Sequence, residues 1–438
     1  MIVLSGAALV LPDRILSPGT LVIDEGRIAE IRPDAPSASH PHSLFAFHGH
    51  YIVPGFVDVH VHGVDGIDSL DAGDAVASIA ARLPRYGVTA FCPTTVACAP
   101  DALRRVLDQV RRAREAPVMR AARVLPAHLE SNFINPEYRG AQAAACLRSP
   151  RAALSGTGMA RNAGVADGAG SAGRAGQSGE PGEEGRASPA RGPVAFDGAD
   201  ILQEIERAAP DVGIVTLAPE LDGGLDLIRW LTARGHRVSL GHSAATFDEA
   251  TAAIAAGALQ ATHLFNRMPP VGHRAPGLAG AVLQTDEIAA EIICDGAHVH
   301  PALVRTAIAA KRPSRMMAIT DATAAAGLPR GATAALGGQP IVAGESTAVL
   351  ADGTIAGSTL TMDRAFQMLV GTIGLPLVDA AILCSTTAAR ELGLVGYGVL
   401  AAEASADLVI LDANLSVVQT YIGGQLVYAR NTPGVASV

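Results

Sequence analysis

The sequence predicts an α/β fold: a (β/α)8 barrel of the TIM type carrying a small β-sandwich built from both chain ends. Three observations lead there. Between residues 54 and 395, short apolar runs alternate with helix-like segments, and eight of those runs read as strands. Outside that range, residues 1–53 and 396–438 read as short strands joined by turns. At 438 residues, 49% of them hydrophobic, the chain can fill a barrel core and an appended domain.

The N-terminal strands are Met1–Leu4, Thr20–Ile23, Arg27–Ile31 and Tyr51–Val53, with Asp24-Glu25-Gly26 turning between two of them. Asp407–Leu411, Val417–Tyr421 and Gln425–Tyr428 repeat the style at the other end, with Gly423-Gly424 as a turn. A domain made from both ends brings the termini together, as domains often do. The barrel strands are Phe56–His62, Val88–Thr94, Arg123–Glu130, Val212–Pro219, Arg237–His242, Ala258–Leu264, Ile288–Asp295 and Arg315–Asp321. Helices between them include Ala72–Tyr86, Ala102–Ala113, Gly224–Ala233, Thr246–Ala256 and Pro301–Lys311. A doubly wound open sheet is the rival topology, but no Gly-x-Gly-x-x-Gly follows the first strand. After the eighth strand, Gln339–Gly357 reads as hairpins, and Leu360–Gly371 and Val378–Leu392 as helices. Residues 149–193 break the alternation. Ser, Gly, Ala, Arg and Glu dominate there, so the segment is expected to be a disordered insertion on the barrel rim.

A net charge of -9 argues against nucleic acid as a partner. The five cysteines are scattered and most lie in apolar runs, as buried free thiols of a reducing compartment would. The N-terminus lacks a basic leader with a cleavage site, and no uninterrupted apolar run reaches about 18 residues. The expectation is a cytoplasmic protein without membrane attachment.

The polar residues fall at the strand ends. The first strand ends in His60-Val61-His62, and residues i and i+2 of a strand face the same side. Two imidazoles so placed can share one divalent ion, although an isolated His-x-His is a weak motif. The third strand ends in His128-Leu129-Glu130, the fifth in Gly241-His242-Ser243 and the eighth in Thr320-Asp321-Ala322, while the sixth carries Thr262-His263-Leu264. In a barrel of this type the C-terminal strand ends converge on one mouth. Each residue alone has an ordinary explanation, such as a helix cap or a satisfied core histidine. Their pairing of ligand type with strand end points to a metal centre.

Such a ligand set implies metal-assisted hydrolysis, in which water of lowered pKa attacks and a carboxylate moves its proton. Asp321, last in the series, is the candidate carboxylate. Some binuclear barrels bridge their ions with a carboxylated lysine on the fourth strand. The single lysine here, Lys311, ends a helix and cannot do so. Glu130 is then the bridge if two ions bind.

Nine stretches together resemble the amidohydrolase superfamily, and within it the N-acetylglucosamine-6-phosphate deacetylases. They are PGFVDVHVHG (54–63), VLPAHLE (124–130), VTLAPE (215–220), LGHSAAT (240–246), THLFNRMPP (262–270), RAPGLAGAVL (274–283), CDGAHVHP (294–301), ITDAT (319–323) and AGSTLTMDRA (356–365). They span the chain apart from 149–193. The resemblance implies a metal-dependent hydrolase barrel that releases acetate from N-acetylglucosamine 6-phosphate. It implies Glu130, His242 and His263 as ligands of a principal ion, and His60 and His62 as ligands of a second, with Glu130 bridging. One or two divalent ions per chain follow, zinc first, then Fe, Mn or Co. Asp321 matches the catalytic acid/base, and His298 the histidine that holds the substrate carbonyl oxygen. Asn266 with the adjacent backbone, and Arg274, match phosphate-binding positions. The family arginine crosses a dimer interface, so a homodimer is implied.

Three departures bear on the sugar. Ser131-Asn132 replaces a usual Gly-Pro, Arg267 stands where a small residue is common, and Gln142 stands where some relatives place a histidine. Arg267 is read as an added phosphate contact or a residue that shifts the sugar. The alternatives are N-acetylgalactosamine 6-phosphate, a cyclic amide, and, from another class, a non-catalytic scaffold barrel. A cyclic amide needs no phosphate set, and a scaffold would have lost ligands.

Overall fold

The computed structural model describes residues 1–33, 43–156 and 195–430. Its centre is a parallel sheet of eight sequential strand positions. These are Phe56–Val61, Val88–Thr95, the split pair Arg123–Val124 and Ala127–Glu130, Val212–Leu217, Arg237–Leu240, Gln260–Ala261, Ala289–Ile293 and Met316–Ile319. The ring closes where Val61 bridges Ala322 in parallel, with His62 N donating to Ala322 O at 2.8 Å and Asp321 N to His60 O at 3.1 Å. The rival open sheet is thereby excluded. The strand residues are buried apart from Arg123, Val124, Gly213 and Arg237, as expected where helices cover one side and packed side chains the other.

Two strands differ from expectation for local reasons. Arg123–Glu130 is broken at Leu125-Pro126, because proline has no N–H to give a ladder. Flanking it, Leu125 N bonds to Phe91 O and Ala127 N to Asp211 O. The sixth strand shrinks to Gln260–Ala261, since the chain turns at His263, where φ is +28°. The helices keep their places with shifted ends. Phe247–Ala255, for instance, starts in a capping box between Thr246 and Glu249.

Both chain ends form one further sheet. Ile2–Val10, Ile15–Asp24, Arg27–Pro33, Ser43–Ala46 and Tyr51–Pro54 join Leu408–Leu411, Val417–Ile422 and Gln425–Ala429. The seam pairs Ile52 with Ile410 in antiparallel register. Leu4, Leu9, Leu21, Ile28, Leu408 and Tyr421 pack in a core of their own, joined by Leu400, Ala404 and Ala406. Arg123 ties this sheet to the barrel through both oxygens of Asp407, at 3.0 and 3.1 Å.

The predicted hairpins are a four-stranded antiparallel sheet, Thr333–Leu336, Gln339–Ala343, Thr347–Val349 and Ile355–Ser358, beginning earlier than expected. It stands beside the barrel mouth, where Ser358 bridges Ala322. One expectation needs correcting. The segment 149–193 is not disordered from its start: Pro150–Gly156 is a helix with Ala153 buried in the barrel's core. Composition hid this, because alanine and glycine at the helix carry little hydrophobic signal. Residues 157–193 of that expectation lie outside the described residues.

Candidate metal centre and active site

Five ligand-type side chains from four strand ends meet at the mouth. Glu130 Oε1 is 2.8 Å from His242 Nε2 and 2.9 Å from His263 Nε2, and those two nitrogens are 3.1 Å apart. His60 Nε2 and His62 Nε2 are 3.2 Å apart, so the strand does aim both rings the same way. Glu130 lies between the two groups, with Oε2 3.5 Å from His62 Nε2 and Oε1 3.7 Å from His60 Nε2. Asp321 Oδ1 completes the second group at 3.3 Å from both of its imidazoles. The rings and carboxylates are all buried.

The backbone does part of this work. His242, His263 and Asp321 have φ of +47°, +28° and +50°, the left-handed region that side-chain-bearing residues seldom enter. A strand that continued would send these side chains to alternate faces. The left-handed turn ends each strand and swings the side chain toward the barrel axis.

The donor set fits divalent cations. A tetrahedral ion with bonds of about 2.0–2.2 Å keeps its ligand atoms about 3.3–3.6 Å apart, close to the spacings found here. Nitrogen atoms 3.1–3.2 Å apart cannot both point protons at one another, so at least one lone pair of each histidine pair faces inward. Without a cation, protons substitute. Burial opposes charge on His62, but the Asp321 and Glu130 carboxylates push it up to about 10. Burial likewise opposes His263, and Glu130 pushes it up to about 9. Burial disfavours the Glu130 carboxylate, yet His242, His263 and His62 hold it well below the ordinary carboxylate range. Asp321 is held low in the same sense by His60 and His62.

His128 has both ring nitrogens engaged by protein atoms. Its Nδ1 faces Val59 O at 2.9 Å and its Nε2 faces Thr216 Oγ1 at 2.8 Å, and burial pushes it down to about 4. It is a neutral ring packed beneath the site.

Above the ligands lies a cavity of about 450 Å³, lined by Glu130, Gln142, Arg267, His298 and Asp321 among others. His298 is held by Asp295, whose Oδ2 is 2.6 Å from Nδ1 while its Oδ1 accepts from the Ala297 and His298 amides. Asn266 lines the cavity too, but its Nδ2 is spent on the carbonyls of His263 and Leu264, at 3.3 and 3.4 Å. Arg267 lies against Gly140 and reaches Ile355 O at 3.4 Å. Arg274 is the outlier. It is exposed, forms no ion pair among the described residues and does not line this cavity.

Gln142, which also lines the cavity, donates through Nε2 to Glu130 Oε2. Ser131 and Asn132 fasten the strand end: Ser131 Oγ donates to Thr216 O, and Asn132 Nδ2 to Cys98 O and Cys146 O. Sequence reasoning passed over Asp295 and Glu291. The signal for Glu291 was available, namely one acidic residue inside the apolar strand Ala289–Ile293.

The site and barrel together define a metal-dependent hydrolase of carbon–nitrogen bonds, and residues 51–427 match the amidohydrolase family, to which the chain belongs. Within it, the chain is similar to the N-acetylglucosamine-6-phosphate deacetylase of Rattus norvegicus, at 34% identity over 96% of this chain and 91% of that one. It is 31% identical to the N-acetylgalactosamine-6-phosphate deacetylase of Escherichia coli O157:H7, covering 93% and 94% of the two chains. A variant N-acetyl-D-glucosamine-6-phosphate deacetylase of Mycobacterium smegmatis, solved with N-acetyl-D-glucosamine-6-phosphate, superposes with a TM-score of 0.79 at 30% identity, over 97% and 99% of the chains. Among the described residues no helix is long and apolar enough to cross a membrane.

Proposed function

We propose that this protein hydrolyses the acetamide of N-acetylglucosamine 6-phosphate, giving glucosamine 6-phosphate and acetate. The observation that carries the reading is Asp321 beside the His60–His62 pair and the Glu130–His242–His263 cluster, lining one cavity with His298 and Arg267. Glu130, His242 and His263 would hold one divalent ion, zinc by preference for such nitrogen and oxygen donors, and His60 and His62 a second. A cation held there supplies water of lowered pKa as the nucleophile and polarises the carbonyl.

The chain's own residues then divide the work. Asp321 takes the attacking water's proton at a carboxylate oxygen and passes it to the departing nitrogen. Asp295 fixes the His298 ring through Nδ1, leaving the other ring nitrogen for the substrate carbonyl oxygen. Gln142 holds the Glu130 carboxylate in register. Arg267 meets the phosphate with a planar, permanently charged fork. Because Asn266 Nδ2 is engaged by its own loop, the neighbouring backbone amides serve the phosphate there. Arg274 reaches the phosphate of the partner subunit in a homodimer, which accounts for its place outside the cavity of its own chain.

The relative from Escherichia coli favours a second reading, in which the sugar is N-acetylgalactosamine 6-phosphate. The deciding experiment measures acetate release from both phosphorylated sugars and from free N-acetylglucosamine, with zinc added. Preference for N-acetylglucosamine 6-phosphate is expected. Equal turnover of the free sugar removes the phosphate assignment, and preference for the galacto isomer replaces the sugar.

A further inference from the structure

Glu291 sits in the middle of the strand Ala289–Ile293, its side chain fully buried. Three donors address it. Its Oε2 is 3.0 Å from His60 Nδ1 and accepts from the His263 backbone amide at 3.2 Å, and its Oε1 accepts from Gln260 Nε2 at 2.5 Å.

The neighbours of Glu291 constrain where the protons of this cluster lie. Arg237 has no acceptor, and its Nε donates to Gln260 at 2.7 Å, so that atom of Gln260 is the amide oxygen. The Arg237 fork is itself fixed by Glu391, through the backbone carbonyl at 3.0 Å and Oε2 at 2.6 Å. Gln260 must then turn its NH2 toward Glu291. Both oxygens of Glu291 are thus met by groups that can only donate, the Gln260 amide and the His263 N–H. With Glu291 as an ionised acceptor, the hydrogen shared with His60 comes from the imidazole: His60 carries it on Nδ1. The lone pair of His60 Nε2 is left pointing at His62 Nε2, Asp321 Oδ1 and Glu130.

We propose that Glu291 is the positioning residue of the metal centre. It selects the His60 tautomer and ring orientation that ligation requires, and Gln260, locked by Arg237 and Glu391, keeps Glu291 in the accepting role. A carboxylate behind a ligating imidazole has this effect generally, and removing it typically weakens metal affinity or activity about 10–100-fold. The inference rests on the metal reading of the proposed function and not on its substrate.

The test is a Co2+ titration of the metal-free wild-type chain, Glu291→Gln, His60→Asn and the double variant. Cobalt absorption reports affinity, elemental analysis reports ions retained after dialysis, and thermal unfolding confirms that each chain is folded. Glu291→Gln is expected to weaken cobalt binding about tenfold or more, and the double variant to bind no more weakly than His60→Asn alone. Wild-type affinity in Glu291→Gln overturns the proposal, and so do losses that simply add in the double variant, since an additive loss marks a general packing role. Wild-type protein that takes up no Co2+ overturns the metal reading as well, whereas failure of acetate release alone overturns only the substrate. A second measurement needs no variant. Long-range proton–nitrogen spectra of the zinc-loaded wild type should show the His60 proton on Nδ1, and a proton on Nε2 overturns the proposal even if Glu291→Gln does not fold.

Discussion

His242 Nε2 and His263 Nε2 stand 3.1 Å apart, each on a backbone bent into the left-handed region. Two imidazoles at that separation share a proton or a cation. The choice between them gives the site a pH dependence whose sign is fixed. In the metal-free protein His62 and His263 are pushed up to about 10 and about 9 by neighbouring carboxylates, so both carry protons at neutral pH. Ligation needs them neutral. Metal affinity should therefore rise steadily from pH 6 to about pH 9, with proton release on binding. Zinc titration calorimetry in buffers of different ionisation enthalpy checks this. A pH-independent affinity with no proton release would contradict it.

Asp321→Asn should retain the metal content of the wild type and lose about 10²–10⁴ in kcat, because the amide cannot carry the transferred proton. Acetate release and elemental analysis on the same preparation separate the two effects. Loss of the ion along with activity would instead make Asp321 chiefly a ligand, a role its 3.3 Å distances to His60 and His62 also suit.

Arg274 offers a test of subunit exchange. If it serves the neighbouring site, Arg274→Ala and Asp321→Asn are each nearly inactive alone. Mixed and allowed to exchange, they form heterodimers in which one of the two sites is intact. About a quarter of wild-type activity should return for random pairing in a twofold dimer. No recovery, with exchange verified by mass, assigns Arg274 to its own chain or to no site.

Lys311 gives a stability signature away from the site. Its ammonium is buried and donates to the carbonyls of Thr285 and of Ile288, the latter at 2.6 Å. Burial pulls it down to about 8, against about 10.4 in an unfolded chain. Between those values the unfolded state binds more protons, so stability should rise with pH across the window, the full cost being present below about 8. Urea unfolding followed at Trp230, the one tryptophan, should show the stability of the wild type relative to Lys311→Met rising between pH 8 and 9.5, the opposite trend from His62 and His263 being common to both chains. A difference that does not change with pH would assign the effect to other groups.

The sequence by itself determined much of this protein. Period-two alternation located the first strand and put His60 and His62 on one side of it. The regular return of apolar runs set the count of barrel strands, although Pro126 splits one that reads as continuous. Local chemistry suffices for such features, because strand faces, proline and helix caps act within a few residues. What only the tertiary structure decided lies between distant parts of the chain. Gln142 reaches Glu130, His128 has its Nε2 engaged by Thr216, and Glu291 meets the His60 ring across 231 residues of sequence. The inward swing of His242, His263 and Asp321 depends on left-handed turns that their residue types disfavour, held by the closing of the barrel. No periodicity encodes a proton shared across a barrel; packing decides which donor meets which acceptor.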